Sequence, residues 1–209
     1  MKKSYIVLAV VAVLLLIGVG SCISTRNGIV SADQNVKMNW GNVESAYQYR
    51  FDLIPNLVST VKGYAKHEAS TLQNVTDARV GRVSDEGDKL QALADSTQAQ
   101  LHNPQQTSEQ RQEILSKFQK EYSIYVNAVH EAYPQLQASQ NFLDLQAQLS
   151  GTESRIKTAR DRFNAAVEAY NNKILRFPGS LFAWGYTEKN YFEADAAASN
   201  APKADFGDM

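Results

Sequence analysis

The longest regular pattern in the sequence lies over residues 142–177, where apolar side chains recur on average every 3.5 residues. This period aligns them along one side of an α-helix, close to the heptad spacing of antiparallel bundles. Gly151 weakens the helix by about 1 kcal/mol relative to alanine, and Pro178-Gly179 ends it. A helix with such a stripe needs other helices against which to bury it.

Three earlier segments show the same helical spacing. They cover residues 36–54, 57–83 and 107–136. Pro55 and Pro134 lack an amide hydrogen and clash with the preceding turn, so they predict breaks at these positions. Thr107, with Gln110 three residues later, predicts a capping box at the start of the third segment.

Other local signals predict where the chain leaves the helical state. Asn27-Gly28 is typical of a turn, and Ser31 with Gln34 resembles another capping box. Residues 84–106 have a loop-like composition, with one short helix predicted over 89–93. From residue 188 the chain is small and polar, which predicts a flexible tail over 188–209.

These patterns predict an all-α fold, an antiparallel bundle of three to four long helices. No segment alternates apolar and polar residues for long enough to build a sheet. The predicted organisation is a signal or anchor over 1–22, a spacer over 23–30, the bundle over 31–187 and the tail over 188–209.

The amino terminus predicts attachment to a membrane. Lys2 and Lys3 precede an unbroken apolar run over 6–17, and Val19-Gly20-Ser21-Cys22 follows it. One interpretation is a bacterial lipoprotein signal, in which Cys22 is acylated and becomes the first residue. The other is an uncleaved transmembrane helix over 5–23, which just reaches the roughly 20 residues needed to cross a bilayer.

Both interpretations keep the two lysines in the cytoplasm and place the rest of the chain outside the inner membrane. The predicted location is therefore the bacterial cell envelope, as a lipoprotein facing the periplasm or exterior or as a single-pass inner-membrane protein. Cys22 is the only cysteine, so no disulfide can form within one chain. The formal net charge of -1 gives no reason to expect a nucleic-acid partner.

Two stretches resemble the LemA family of bacterial proteins. The first runs from Arg50-Phe51-Asp52-Leu53-Ile54-Pro55-Asn56-Leu57-Val58 through Thr60-Val61-Lys62-Gly63-Tyr64-Ala65 to His67-Glu68. The second is discontinuous and comprises Tyr133-Pro134, Ala138-Ser139, Phe142, Leu145, Leu149, Thr152-Glu153, Ile156, Ala159-Arg160, Asn164, Val167, Tyr170-Asn171 and Phe177-Pro178. The resemblance extends from about Gly28 to Ala194.

The resemblance implies a bacterial helical bundle with an amino-terminal hydrophobic segment, and it carries over no catalytic residues. The family's molecular function is not established. Members are often described with an extracellular amino terminus and a cytoplasmic bundle. Lys2-Lys3 and Gly20-Ser21-Cys22 favour the opposite topology in this chain.

The residues that resemble catalytic motifs do not complete them. His67-Glu68 lacks the second histidine of a zinc-protease helix, because position 71 is threonine, and His130-Glu131 is followed by proline at 134. No metal site, cofactor or phosphate loop is predicted. The candidate polar residues, as a register-fixing network or a ligand groove, are Arg50, Asp52, Asn56, Glu153, Arg160, Asn164 and Asn171.

The leading functional hypothesis is a tethered bundle that acts as an envelope scaffold or protein-interaction partner, with its partner unknown and no catalysis. One alternative is an envelope ligand-binding module that uses the Arg50, Asp52 and Asn56 region. Another is a hydrolase with Asp52 and Glu153 as paired carboxylates. The aromatic residues of 182–186 predict packing at the bundle end or contact with a membrane surface.

Overall fold

The structure, a computed structural model, describes residues 2–71, 77–103 and 105–192. All regular structure in these ranges is helical, which confirms the all-α prediction. The long helices number five rather than three or four in the described ranges. They are α1 (Lys2–Phe51), α2 (Ile54–Thr71), α3 (Asp77–Leu101), α4 (Ser108–Ala132) and α5 (Gln140–Leu175), followed by the short α6 (Gly179–Phe182).

Contacts divide the chain into two compact units. The first unit comprises Met1–Val43 and Thr158–Tyr191, and the second comprises Glu44–Lys157 with Phe192. In the first unit Trp40 of α1 meets Phe163 of α5 edge to face, with 5.3 Å between the ring centroids. Nearer the amino terminus, Lys173 Nζ donates to the carbonyl oxygen of Gly28 at 3.1 Å. These two pairs show that α1 and α5 run antiparallel in this unit.

The second unit packs α2 against α3 and α3 against α4. Aromatic contacts join its core. Phe51 meets Phe118 of α4 edge to face, with ring centroids 4.7 Å apart, and Tyr64 of α2 lies 5.9 Å from Tyr133 in the same geometry. Edge-to-face pairs of this kind add about 0.5–1.5 kcal/mol each beyond the area that they bury.

Helix α3 overturns the prediction that residues 84–106 form a loop with a short helix over 89–93. Its buried positions recur in steps of four and three and are Val83, Gly87, Leu90, Ala94, Thr97 and Leu101. Three of these six residues, Gly87, Ala94 and Thr97, are small or weakly apolar, so composition did not reveal the stripe. Their burial against neighbouring helices outweighs the weak local helical preference.

Gly87 explains how closely these helices approach. A methyl group at this position would lie 3.0 Å from Tyr125 Oη and 3.1 Å from Val58 Cγ1. Burial, followed by the nearby charges of Asp88 and Glu86, raises the pKa of Tyr125. The phenol therefore stays neutral and packs as part of the core.

The turn predicted at Asn27-Gly28 and the helix start predicted at Ser31 are wrong, because α1 continues through both. The 23–30 segment, predicted as a spacer, is consequently helical. Buried Ile29, Ala32 and Val36 already form the stripe that continues to Phe51. That packing makes Gly28 tolerable inside the helix, at a cost of about 1 kcal/mol relative to alanine.

The breaks predicted at Pro55 and Pro134 and the capping box predicted at Thr107 are confirmed. Helix α1 ends before Pro55, which lies in the first turn of α2, and α4 ends before Pro134, which begins a 3₁₀ turn (Pro134–Ala138). The Thr107 side chain accepts from the Gln110 amide, and the Gln110 side chain accepts from the Thr107 amide. Local steric rules and reciprocal hydrogen bonds are enough to set these ends.

The beginning of α1 is apolar and exposed. In the described ranges it is the one helix long and apolar enough to cross a membrane, and its most apolar stretch has a mean hydropathy of 3.0 with none of it buried. Its exposed side chains include Leu8, Leu14 and Leu16. The helix could therefore anchor the protein in a membrane.

The predicted tail is partly ordered. The Lys189 amide donates to Asn171 Oδ1 at 3.0 Å, and Asn171 Nδ2 donates to the Lys189 carbonyl oxygen at 2.9 Å. Phe192 is buried. Residues 188–192 are thus not a free tail, and the remainder of the prediction, 193–209, lies outside the described residues.

Candidate functional site

The most unusual polar residue is Arg50, which lies in the last turn of α1 and is completely buried. Its Nε donates to Thr152 Oγ1 at 3.3 Å. Its Nη1 donates to Gln119 of α4, and its Nη2 donates to the Glu153 carboxylate of α5. A buried guanidinium is tolerated only when its charge and its donors are paired, and here each of its three nitrogens is.

Aromatic rings complete the environment of this arginine. The Tyr122 ring centroid lies 5.1 Å from Arg50 Cζ and the Tyr47 centroid lies 5.7 Å away. Burial raises the pKa of Tyr122, while the positive charge of Arg50 opposes that change and the negative charge of Glu153 adds to it. Cation–π contacts of this kind stabilise desolvated arginines by up to roughly 2 kcal/mol.

The two members of the ion pair between Arg50 and Glu153 differ in solvent exposure. The side chain of Arg50 has 0% exposure, whereas that of Glu153 has 58%. Thr152 is itself held, because its hydroxyl donates to the Leu149 carbonyl oxygen at 2.7 Å. The cluster therefore fixes the register of the adjoining parts of α1, α4 and α5 in the second unit. Arg50 hydrogen-bonds through each of its three nitrogens, so it is suited to positioning and charge pairing.

A cavity of about 240 Å³ lies beside this cluster. Its lining is mostly apolar and comprises Leu57, Tyr122, Val126, Val129, His130, Phe142, Gln146, Leu149, Ser150 and Glu153. Tyr122 and Glu153 belong to both the cavity and the arginine cluster. The cavity has room for one large side chain or a small molecule, with Glu153, His130 and Gln146 as polar contacts.

The structure separates the polar residues that the sequence placed together. Arg50 and Glu153 meet, but Asp52 is exposed and accepts from the Gln48 side chain at 2.7 Å. Asn56 is also exposed. Neither Asp52 nor Asn56 lines this cavity.

The remaining predicted residues lie in the first unit. Arg160 and Asn164 are half-buried and each takes part in polar or electrostatic interactions. Asn171 is buried and holds the backbone of Lys189. The ammonium of Lys189 lies 2.9 Å from Asp33, which also pairs with Lys37 at the same distance.

Asp33 is the acidic centre of this second polar group. Burial alone would raise its pKa, but hydrogen bonds from Lys37 and Lys189, together with their charges, outweigh that effect and hold the pKa below its usual value. The carboxylate thus stays ionised at neutral pH. Asp33, Lys189 and Asn171 attach the segment that follows α6 to α1 and α5 in the first unit.

Sequence reasoning missed Gln119, Lys189 and the role of Thr152. Thr152 belonged to the apolar stripe of α5, and a threonine on such a stripe was a usable sign of a buried polar partner. Gln119 and Lys189 carry no signal, because each is one of many polar residues on an otherwise solvated segment. No group of three or more His, Cys, Asp or Glu side chains that could hold a metal is found among the described residues.

The described residues thus define a helical-bundle protein with an exposed apolar amino-terminal helix and a paired arginine in its core. The chain belongs to the LemA family, whose model matches residues 39–206. The family resemblance predicted from the sequence is therefore confirmed.

Two curated proteins of Paramagnetospirillum magneticum are also similar to the chain. Magnetosome protein MamQ 1 and magnetosome protein MamQ 2 are each 33% identical to it over 72 residues, which is 34% of this chain and 26% of each relative. The chain spans about a quarter of the length of these relatives. No solved structure matches the chain significantly.

Proposed function

We propose that the protein is a membrane-tethered scaffold or interaction partner of the bacterial envelope, held either by α1 or by a lipid on Cys22, and that it has no catalytic chemistry of its own. The observation that carries this proposal is the continuity of α1 from Lys2 to Phe51. Its first part is apolar and exposed, whereas further along Trp40 is buried in the first unit and Arg50 is buried in the second. The helix that carries the attachment is therefore the same helix that packs against α5 in the first unit through Trp40.

The arginine cluster also supports an interaction role. The nitrogens of Arg50 donate to Thr152, Gln119 and Glu153, so its hydrogen bonds are made within the chain rather than to a ligand. A ligand-binding module is the second candidate, favoured by the 240 Å³ cavity. That candidate would rely on Glu153 and His130 rather than on Asp52 and Asn56.

Where α1 is the tether, two arginines introduced into the apolar run, Val11→Arg with Leu14→Arg, should release the full-length protein from membranes washed with alkaline carbonate. Each charge at the centre of a spanning helix costs about 2.5–3.5 kcal/mol. Met38→Arg is the control, because Met38 is also an exposed apolar residue of α1 but lies beyond the run.

Palmitate labelling separates the two kinds of attachment. Label that disappears in Cys22→Ala supports a lipoprotein, and carbonate-resistant protein without label supports a transmembrane helix. A wild-type protein that carbonate extracts completely contradicts the tether.

Photo-crosslinking in intact cells tests the interaction role. Ile124 of α4 and Leu143 of α5 are 48% and 42% exposed, whereas Leu115 is completely buried. A photoreactive residue introduced at Ile124 or Leu143 should give a discrete adduct with another envelope protein, and one at Leu115 should not. Two results together contradict the proposal. The first is no adduct from either exposed position, and the second is turnover of a substrate by the purified full-length chain, an activity that Glu153→Gln abolishes.

A further inference from the structure

A patch of exposed apolar side chains follows the end of α5 and continues past α6. Phe177 is 80% exposed, Trp184 72% and Leu181 64%. Isolated exposed apolar residues are ordinary on protein surfaces, but three large ones within eight consecutive residues concentrate apolar area in one place. Trp184 combines an apolar body with a polar N–H, which suits the boundary between lipid and water.

The charges around this patch have a single sign. Arg26, Lys173 and Arg176 lie on the segments that form it, while residues 1–32 and 169–187 contain no aspartate or glutamate. Arg26 Cζ lies 4.4 Å from the Trp184 ring centroid. Its Nη1 is buried and has no hydrogen-bond partner within the described part of the chain.

With the membrane tether proposed above, Arg26 lies at the edge of the membrane. Arg26 follows Ile23, the last residue of the predicted transmembrane helix over 5–23, by three positions, which is about 4.5 Å along the helix. The headgroup layer on each side of a bilayer is roughly 5–7 Å thick. Arg26 and the Trp184 ring stacked on it therefore fall within that layer. Cys22 is one helical turn before Arg26, so a lipid on Cys22 would lead to the same position.

A groove beside the patch has the chemistry of a phosphate site. It has a volume of about 330 Å³, and Ser24, Thr25, Lys173 and Arg176 contribute to its walls. The bond from Lys173 Nζ to the Gly28 carbonyl oxygen, 3.1 Å long, holds the ammonium at this groove. Hydroxyls with an ammonium and a guanidinium are the donors that bind phosphate oxygens.

We propose that Arg26, Lys173, Arg176, Phe177, Leu181 and Trp184 form an interfacial surface that docks on the anionic phospholipid headgroups of the membrane that holds the protein. The three cations bind lipid phosphates, and the apolar side chains enter the boundary between headgroups and acyl chains. The proposal rests on the membrane tether proposed above. Because the tether keeps the surface beside the bilayer, weak contacts are enough to fix the orientation of the first unit.

Tryptophan fluorescence of the full-length protein in vesicles tests the docking. The chain has two tryptophans, and Trp40→Phe leaves Trp184 as the single emitter. In vesicles that contain phosphatidylglycerol, Trp184 should lose most of its emission to lipids brominated near the headgroup and should be shielded from acrylamide. A Trp184→Phe variant is the blank. Subtracting it from the wild type gives the same measurement if Trp40→Phe does not fold.

Charge reversal at the groove tests the role of the cations. Arg176→Glu should lower the ratio of docked to undocked protein roughly fivefold or more, since each basic side chain near an anionic surface contributes on that scale. Arg162→Glu is the matched control, because it makes the same charge change roughly 20 Å away along the axis of α5 and should leave the ratio unchanged.

Three further arms identify the source of any protection. Docking on lipid predicts weaker quenching in pure phosphatidylcholine and no protection by inorganic phosphate. Protection that appears in phosphatidylcholine vesicles once inorganic phosphate is added assigns the surface to a free anion and overturns the proposal. Protection that falls as the protein is diluted in lipid assigns it to a second copy of the chain and also overturns the proposal. Full access of acrylamide to Trp184 in protein that resists carbonate extraction also overturns the docking proposal, while it leaves the proposed tether standing. Extraction by carbonate reports failure of the tether itself.

Discussion

Glu153→Ala should lower the free energy of unfolding of the full-length protein by about 3 kcal/mol. The substitution leaves the Arg50 guanidinium buried with two neutral acceptors, Thr152 and Gln119, and without a counter-charge. Removing one partner of a buried ion pair costs about 3–5 kcal/mol, and the lower end applies here because water reaches Glu153. Urea unfolding in detergent, followed by far-UV circular dichroism, measures the change.

The exposed pair of Lys62 and Asp88 is the control for this experiment. Its nitrogen and oxygen are 2.6 Å apart, and its side chains are 36% and 62% exposed. Asp88→Ala should therefore cost less than about 1 kcal/mol. Equal losses in the two variants would contradict the role assigned to the Arg50 cluster.

The double variant Arg50→Met with Glu153→Met separates charge pairing from shape. Methionine is long and flexible enough to fill much of the space that Arg50 occupies. Replacing both members of a buried pair by apolar residues is often neutral. We expect the double variant to be more stable than Glu153→Ala alone, whereas greater destabilisation would show that the hydrogen bonds, not the charge balance, hold the site.

The sequence was sufficient for α5 because its stripe combines large apolar residues with regular spacing. Phe142, Ile156 and Phe163 are all buried where the pattern placed them. The helix ends at Pro55, Thr107 and Pro134 were equally predictable, since each depends on the chemistry of neighbouring residues alone.

Helix α3 was not predictable in the same way. Gly87, Ala94 and Thr97 contribute little hydrophobicity, yet they lie on its buried face. Gly87 is useful there because it lacks a side chain, which lets Tyr125 and Val58 come close. Hydrophobic periodicity reveals residues that bury large apolar side chains. It does not reveal a glycine whose role is to leave space for neighbouring side chains.

The sequence predicted which residues belong to the candidate site, but it did not predict which of them contact one another. Arg50 and Glu153 were selected with five other polar residues, but sequence spacing within α5 does not determine which of them faces α1. Asp52 follows Arg50 by two positions, and that separation places the two on different sides of the chain, one buried and one exposed. Pairings across helices depend on the packing of the whole bundle.

Gly179→Ala should destabilise the protein by about 3 kcal/mol. Gly179 is buried at the start of α6, where an added Cβ would lie 1.8 Å from the carbonyl oxygen of Lys173. Two such atoms cannot approach so closely, and the obstacle is backbone, so the end of α5 or the start of α6 must move. Overpacking costs about 1–3 kcal/mol when side chains can adjust. The upper end applies here because the atom in the way belongs to the backbone.

Gly151→Ala is the matched control and should act in the opposite direction. Gly151 lies inside α5, and nothing is within 4 Å of the Cβ that alanine would add. Alanine there should stabilise the helix by about 1 kcal/mol. Because Lys173 lines the proposed phosphate groove, Gly179→Ala should also weaken bromolipid quenching of Trp184, and Gly151→Ala should not. A Gly179→Ala protein with unchanged stability would show that the chain after α5 relaxes freely, in which case it would not hold the interfacial surface in place.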